Sequence, residues 1–402
     1  MTLSAAMPAR ASQATLALLA GLVLLGGGAW IYELSQGLAV TGMRDVISWG
    51  LYIVTFAFFV KLSAGGLIVA SVAEVFGVKA IEPLARIGVL TAAVCVLVAG
   101  VFVVPDLGRP ERALNILFYA NPRSPMVWDI TIISLYFLLS ASKFVLMSFR
   151  PTPYRKAVLK ILAIAGFPAA FALHSITAWI FGVQIARPFW NTAVMAPLFV
   201  VSAIAAGTSL VALIAAVLGK VSTLRIGEDT WKALATIMSL SLAIDLFFVF
   251  SEYVTTLWGG VPDEMAGLEM LLPGGRFFWL LLLEWVVGGA LPFALLVMPR
   301  TGRRADCIVG SAVLILVGIY AFQYQLSSVG MANPLIQLPP GVSLGTFDDG
   351  VPVFQLVGRY VPTWVEYAVL AGLTSVAVLL FAGIYRFTGM GLDRREVSDG
   401  EA

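Results

Sequence analysis

Ten apolar runs, each long enough to cross about 30 Å of hydrocarbon, constrain the fold of this 402-residue chain more than any other feature. They lie at 14–32, 47–76, 87–105, 126–147, 159–183, 194–219, 232–258, 277–299, 307–327 and 361–386. Only 12% of the residues are charged and the mean hydropathy is +0.94, which excludes a water-soluble domain. The sequence therefore predicts an all-α integral membrane protein with about ten transmembrane helices, residues 1–402 forming one polytopic domain.

The distribution of positive charge predicts the orientation of these helices. Of the 25 Lys and Arg residues, 17 fall on the side that holds both termini, seven fall on the other side, and Lys61 lies within a span. Because cytoplasmic loops carry the excess of positive charge, both termini are expected in the cytoplasm. The polar link that follows the third span then faces the outside.

That link reads DLGRPERALNILFYANPRSPMVWD, and it is unusually rich in charge for a segment between two apolar walls. Asp106, Arg109 and Arg112 can hold the headgroup of a ligand or contact a partner protein; the alternative is a salt-bridge network within the link. Trp128 and Asp129 follow at the start of the next helix. Trp49, Trp190 and other aromatic residues near helix ends are expected in the interfacial belts.

A second outer segment, 328–360, is long and rich in Gly and Pro. Loops of this length in compact proteins are often functional, so the segment is either a docking surface for a partner or a lid over the helices.

Only one histidine, His174, and two cysteines occur in the chain. A haem held by two histidines is excluded, and two cysteines cannot hold an iron–sulfur cluster; no metal site is expected. Redox chemistry would therefore need a mobile cofactor and a partner protein. His174 lies at membrane depth, where a neutral imidazole can accept a proton from a quinol hydroxyl. The alternative is a histidine bonded to a neighbouring helix.

Buried carboxylates form a second set of candidates, because an ionisable residue in hydrocarbon costs roughly 2.5–3.5 kcal/mol or more. Asp245 and Glu252 are seven residues apart, which places them on one helix face about 10.5 Å apart. Glu284 on the next helix lies at a similar depth, and the three could relay protons. Alternatively, one pairs with Lys61 and the others bond backbone or hydroxyl groups. Glu366 is expected at the membrane interface.

Three motifs together identify a family resemblance: VTGMRDVISWGLYI at 40–53, SAGG at 63–66, and DLGRPER followed by NPRSPMVWD. They resemble the NrfD/PsrC family, the membrane subunits of polysulfide reductases, most strongly over 40–185. The length and the ten predicted helices are similar to the longer members, the anchors of alternative complex III and of the sulfite-reductase-associated membrane complex.

The resemblance implies two four-helix bundles, spans two to five (47–183) and six to nine (194–327), flanked by the first and last (361–386) spans. It implies a haem-free anchor in the bacterial cytoplasmic (inner) membrane that binds menaquinone or ubiquinone. Such an anchor exchanges two electrons with a ferredoxin-like subunit that holds four-iron clusters on the outer face and serves a molybdopterin enzyme or a multihaem cytochrome. The resemblance supports His174 and Asp106, and less directly Asp129 and Asp245.

We therefore expect a quinol headgroup in the first bundle beneath the link, with protons passed on by Asp245, Glu252 and Glu284. The expected headgroup contacts are His174, Asp106, Arg109, Arg112, Trp128 and Asp129. Membrane lipid is an expected partner and nucleic acid is not. Two other function classes remain open from the sequence: an ion or solute transporter without a redox role, and an inert tether for a partner.

Overall fold

A computed structural model describes residues 9–44, 47–75, 78–150, 152–222, 224–332 and 360–389. In these ranges the α-helices are α1 (Ala9–Gln36), α2 (Leu51–Val75), α3 (Ala85–Asp106), α4 (Asn115–Phe118), α5 (Pro125–Met147), α6 (Pro153–Gly182), α7 (Met195–Val221), α8 (Glu228–Gly259), α9 (Pro262–Glu269), α10 (Phe278–Leu282), α11 (Leu291–Val297), α12 (Ala305–Ala332) and α13 (Trp364–Phe387). A π-helical segment, Leu283–Ala290, joins α10 to α11 in one continuous span. Most of the predicted outer loop 328–360 lies outside the described residues.

The predicted all-α membrane fold is confirmed, with ten helices long and apolar enough to cross a membrane among the residues described. Since successive spans alternate in direction, the link 107–124, the segment 183–194 and the segment 260–277 lie at the same end of the helices. We call that end the link face.

The helices pack as two groups of four. In the first group α2, α3, α5 and α6 contact one another in a ring. In the second, α7 packs on α8 and α12, and the α10–α11 span packs on α8 and α12. The flanking helices α1 and α13 pack against each other, and α13 lies on α2 and α3. We call these two groups the first bundle and the second bundle.

Helix α2 lies where the two bundles meet. It packs on α3 and α6 on one side and on α7 and α12 on the other. In the most apolar 18-residue stretch of α2, 94% of the residues are buried inside the protein, whereas in that of α1 only 11% are. A helix that is apolar on every side is expected in such a central position, so α2 is the element from which residues can reach both bundles.

The crossing of α2 and α7 depends on small residues. A Cβ atom at Gly65 would overlap the backbone of Gly207, and a Cβ at Gly207 would overlap Gly65. The backbones of the two helices are thus in direct contact, which small residues such as those of the SAGG stretch at 63–66 allow. Any side chain larger than hydrogen at either position would force the two bundles apart.

Glu366, in the first turn of α13, is completely buried inside the protein (0% exposed). Its carboxylate accepts from the backbone N–H of Thr363 at 2.9 Å and of Gly42 at 2.6 Å, and from the hydroxyl of Tyr360. The Tyr360 oxygen in turn accepts from the backbone N–H of Leu51 at 2.5 Å. Burial and the neighbouring Glu366 raise the pKa of Tyr360. One carboxylate therefore fastens α13, α2 and the segment before α2 together at the link face.

Trp190 departs from expectation, because it is 2% exposed and therefore not an interfacial aromatic. Its Nε1 donates to Leu326 O at 2.6 Å, and its ring stacks on Trp49 with centroids 5.6 Å apart. Nearby, Nη1 of Arg187 donates to Gly330 O at 3.1 Å, satisfying a carbonyl at the end of α12. Burial lowers the pKa of Arg187. The segment 183–194 therefore packs against the link-face end of the second bundle.

Candidate functional site

The link contributes both exposed and buried candidates. Arg109 and Arg112 are exposed on the link face. Trp128 is exposed along part of its ring, and its Nε1 donates to Pro122 O at 2.6 Å, which holds the link against the start of α5. The two arginines are available at the surface, as a docking role requires, but the structure does not bring them to His174.

Asp106 has different surroundings from these arginines. Its Oδ1 is buried without a hydrogen-bond partner among the described residues. It lies within electrostatic range of Glu33 and Glu366, and Tyr52 of α2 donates its hydroxyl to Glu33 Oε2 at 2.6 Å. The structure therefore places Asp106 in an acidic group formed by the link-face ends of α1, α2, α3 and α13, at a place different from the His174 site.

Asp129 is buried in the first bundle near the start of α5. It is 5% exposed, and its Oδ1 accepts from the hydroxyl of Thr177 at 2.5 Å. Thr177 lies on α6, three residues after His174, so the two share one face of that helix. The structure thus brings Asp129 and His174, two of the predicted headgroup contacts, to the same side of α6 beneath the link.

His174 is 1% exposed, and both of its ring nitrogens face backbone carbonyl oxygens. Nδ1 is 2.6 Å from Ala170 O in its own helix, and Nε2 is 3.1 Å from Val60 O in α2. A neutral imidazole has a single N–H and can donate to only one of them. With the proton on Nδ1, where the contact is shorter, the Nε2 lone pair faces an oxygen and lacks a donor.

Lys61, the residue after Val60, faces the other bundle. Its side chain is fully buried, and its Nζ lies 4.1 Å from the ring centroid of Phe199 and 4.7 Å from that of Phe322. It interacts electrostatically with Asp245 and Glu284, although no hydrogen bond from Nζ occurs within the described ranges. Lys61 is thus close enough to stabilise a negative charge on either carboxyl without being tied to one.

Asp245 and Glu284 line a small cavity in the second bundle. The cavity has a volume of about 10 Å³, and Ser202 and Phe322 contribute to its wall. Glu284 lies at the start of the π-helical segment, an irregularity that is frequent at functional sites. Asp245 Oδ1 and Glu284 Oε2 have no hydrogen-bond partner in the part of the chain that the structure describes. Such buried, unpaired oxygens are expected where water or a proton is held.

Glu252 lies nearer the link face, and its carboxylate accepts from the hydroxyl of Thr192 at 2.8 Å. A bond to a hydroxyl group was the alternative to a proton relay in the sequence analysis. It lines a larger cavity of about 280 Å³ together with Glu264, Tyr253 and Gln325. The predicted carboxylates are therefore divided between two cavities, Asp245 and Glu284 at the inner one and Glu252 at the outer one.

Several residues of these sites escaped sequence reasoning. Four of the six buried residues of α5 are polar or ionisable: Asp129, which the sequence analysis named, and Tyr136, Ser140 and Lys143, which it did not. The Tyr136 hydroxyl donates to Ser63 O at 2.8 Å. Their spacing of seven, four and three residues puts them on one helix face, and this periodicity was readable from the sequence. Gln325 and Tyr253 carried no comparable pattern.

No three His, Cys, Asp or Glu side chains converge closely enough to hold a metal ion within the described ranges. The chemistry that the described groups can perform is hydrogen bonding and proton transfer. A helical, multi-pass membrane protein with ionisable side chains buried in both of its bundles is the class that fold and site define. The chain belongs to the polysulphide reductase NrfD family, whose profile matches residues 39–332.

The chain is also similar to membrane proteins of several oxidoreductases. It is 34% identical to a putative dimethyl sulfoxide reductase membrane subunit of Halobacterium salinarum, over 92% of this chain and 89% of that protein. It is 25% identical to a selenate reductase subunit of Mesobacillus selenatarsenatis, over 87% and 88% of the two chains. It is likewise 25% identical to the Hdr-like menaquinol oxidoreductase integral membrane subunit of Archaeoglobus fulgidus, over 90% of each.

Proposed function

We propose that this protein is the quinol-binding membrane subunit of an oxidoreductase complex, with the quinol headgroup held in the first bundle between α2, α5 and α6. The proposal includes an iron–sulfur subunit docked on the link face, which exchanges two electrons with the bound quinol. It rests on the family, on the menaquinol named for the A. fulgidus relative, and above all on the hydrogen bonding of His174.

The observation that carries the proposal is the shortage of donors at His174. Two carbonyl oxygens surround a ring that in its neutral form has one N–H. A quinol hydroxyl would supply the missing donor to Nε2. After the proton is transferred and the oxidised headgroup leaves, the imidazolium has two N–H groups, and both carbonyls can then receive a hydrogen bond. His174 is therefore arranged to accept a proton from a donor ligand.

Asp129 and Thr177 would receive the second hydroxyl of the same headgroup. The Asp129 carboxylate already accepts from Thr177 at 2.5 Å and has capacity for further donors. A quinol oxidised at this site gives up two electrons and two protons; His174 and Asp129 are the two nearby groups that take the protons. Arg109, Arg112 and Trp128, on the surface directly above, would contact the partner rather than the headgroup.

Binding of a quinol analogue by the purified protein in lipid nanodiscs tests the proposal. We expect the fluorescence of 2-heptyl-4-hydroxyquinoline N-oxide to be quenched on binding, and His174→Ala to weaken binding about 10-fold or more, the loss of one buried hydrogen bond. Ser134→Ala is the matched control, because Ser134 is exposed on α5 and bonds only its own helix at Ile130 O.

Each result has a definite meaning. Unchanged affinity in His174→Ala would exclude His174 from the headgroup site. If the unsubstituted protein binds no analogue, the quinol function is wrong, and a transporter without a redox role or an inert tether takes its place.

A further inference from the structure

The two cavities of the second bundle lie in line between the membrane interior and the link face. The inner cavity, at Asp245 and Glu284, has a volume of about 10 Å³ and holds roughly one water. The outer cavity has a volume of about 280 Å³, which leaves room for several waters. Phe322 lines both. The cavities are therefore separated by little more than one layer of side chains.

Gln325 is the polar member of that separating layer. It is 1% exposed, and its Nε2 donates to the hydroxyl oxygen of Tyr253 at 2.6 Å. The same side chain interacts with Glu284, whose carboxyl lines the inner cavity. Its Oε1 has no partner among the described residues, although the side chain lines the outer cavity. One amide thus lies between a buried acid and the outer cavity.

The charge of the outer cavity favours protons over anions. Glu252 and Glu264 are among its lining residues, and no Lys, Arg or His from the described ranges is. A cleft lined by one sign of charge concentrates counter-ions, here hydronium and small cations. In contrast, Lys61 lies at the inner end near Asp245 and Glu284. The outer cavity therefore has the charge expected of an aqueous vestibule that takes up protons from buried acids.

We propose that Gln325 and Tyr253 form the gate of a proton route from Glu284 to the outer cavity. When the Gln325 side chain turns away from Glu284, water joins the two cavities. The O–H bond of the Glu284 carboxyl breaks, the proton passes through that water to Glu252 or to bulk water, and the Asp245 carboxyl returns a proton to Glu284. Gln325 is a positioning residue, since the water and the carboxyls carry the proton. The proposal extends the quinol function by assigning proton transfer to the second bundle. Only the physiological role of the gate rests on the proposed quinol function.

Hydrogen–deuterium exchange of the Glu284 carboxyl, followed by infrared spectroscopy, tests the gate in the purified full chain. The protein in nanodiscs at acidic pH is transferred to D₂O, and the carboxyl band is assigned to Glu284 by its loss in Glu284→Gln. We expect Gln325→Leu to slow the exchange of this band at least tenfold, because an apolar side chain closes the wall. Gln325→Glu should retain rapid exchange, because its carboxyl can itself carry a proton.

Gln323→Leu is the matched control. Gln323 is on the same helix and equally buried, but it lines neither cavity, so its substitution should leave the exchange rate unchanged. Equal exchange in Gln325→Leu and the unsubstituted protein, equal slowing in Gln323→Leu, or no protonated band from Glu284 would each overturn the gate. Binding of the quinol analogue is measured on the same samples, and its presence or absence judges the quinol function separately.

Discussion

Two substitutions of Glu366 should weaken the attachment of α13 to different extents. Glu366→Leu leaves the N–H groups of Gly42 and Thr363 and the hydroxyl of Tyr360 without their acceptor. Each buried donor left unpaired costs roughly 1–2 kcal/mol, so the total is about 3–6 kcal/mol. Glu366→Gln keeps one acceptor oxygen and replaces the other by a donor, so it should cost about 1–2 kcal/mol.

These losses of stability can be converted into a shift of the midpoint of thermal unfolding. At about 2.1 cal/mol/K per residue, the 402 residues correspond to an unfolding entropy of about 0.8 kcal/mol/K, so a loss of 4 kcal/mol lowers the midpoint by about 5 °C. The reaction of the buried Cys95 thiol with a maleimide dye during heating reports the unfolding in detergent. Because such unfolding is often irreversible, variants are compared at one heating rate. Glu228→Leu is the control, since that side chain is 89% exposed. A midpoint in Glu366→Leu within 1 °C of the unsubstituted protein, on a scale of about 5 °C expected, would refute the role assigned to Glu366.

Two further predictions concern the first bundle and its contact with the second. Thr177→Val removes the hydroxyl that Asp129 accepts from; the affinity for the quinol analogue should fall about 5- to 30-fold, corresponding to about 1–2 kcal/mol, in the same fluorescence titration. Gly65→Ala should lower the thermal midpoint because its Cβ overlaps the backbone of Gly207, whereas Gly100→Ala, with nothing within 4 Å, should not. Equal midpoints for the two alanine variants would contradict the direct backbone contact of α2 and α7.

The fold was predictable because each span is set by its own composition. Length and hydropathy determine where a helix crosses a membrane, independently of what packs on it. The burial of Glu366 was only half predictable. Thr363 and Glu366 have the three-residue spacing of a capping box, which a reader of the sequence can recognise. The backbone N–H of Gly42, 324 residues earlier, also donates to the Glu366 carboxylate, and no local sequence pattern indicates such a contact.

The residue types of the candidate site could be predicted from the sequence, but the contacts between those residues could not. An ionisable residue at membrane depth is conspicuous, so His174, Asp129, Asp245 and Glu284 could be chosen from the sequence. Which of them meet depends on the rotation of each helix about its axis, and an apolar helix offers little amphipathic signal to fix that rotation. The assignment of Asp106 to the acidic group and of Asp129 to the His174 side therefore required the structure.

The position of α2 explains how two polar sites in separate bundles can influence each other. Val60 O is a contact of His174 at 3.1 Å, and the next residue, Lys61, reaches the cavity of Asp245 and Glu284. Consecutive residues of an α-helix differ by only about 1.5 Å along its axis, so α2 presents one group to each bundle at the same depth. A proton gained by His174 adds a charge near Lys61 and its carboxyls in surroundings of low dielectric, where charges interact more strongly than in water. Proton uptake in the first bundle would thus favour proton release in the second through α2, without any movement of the backbone.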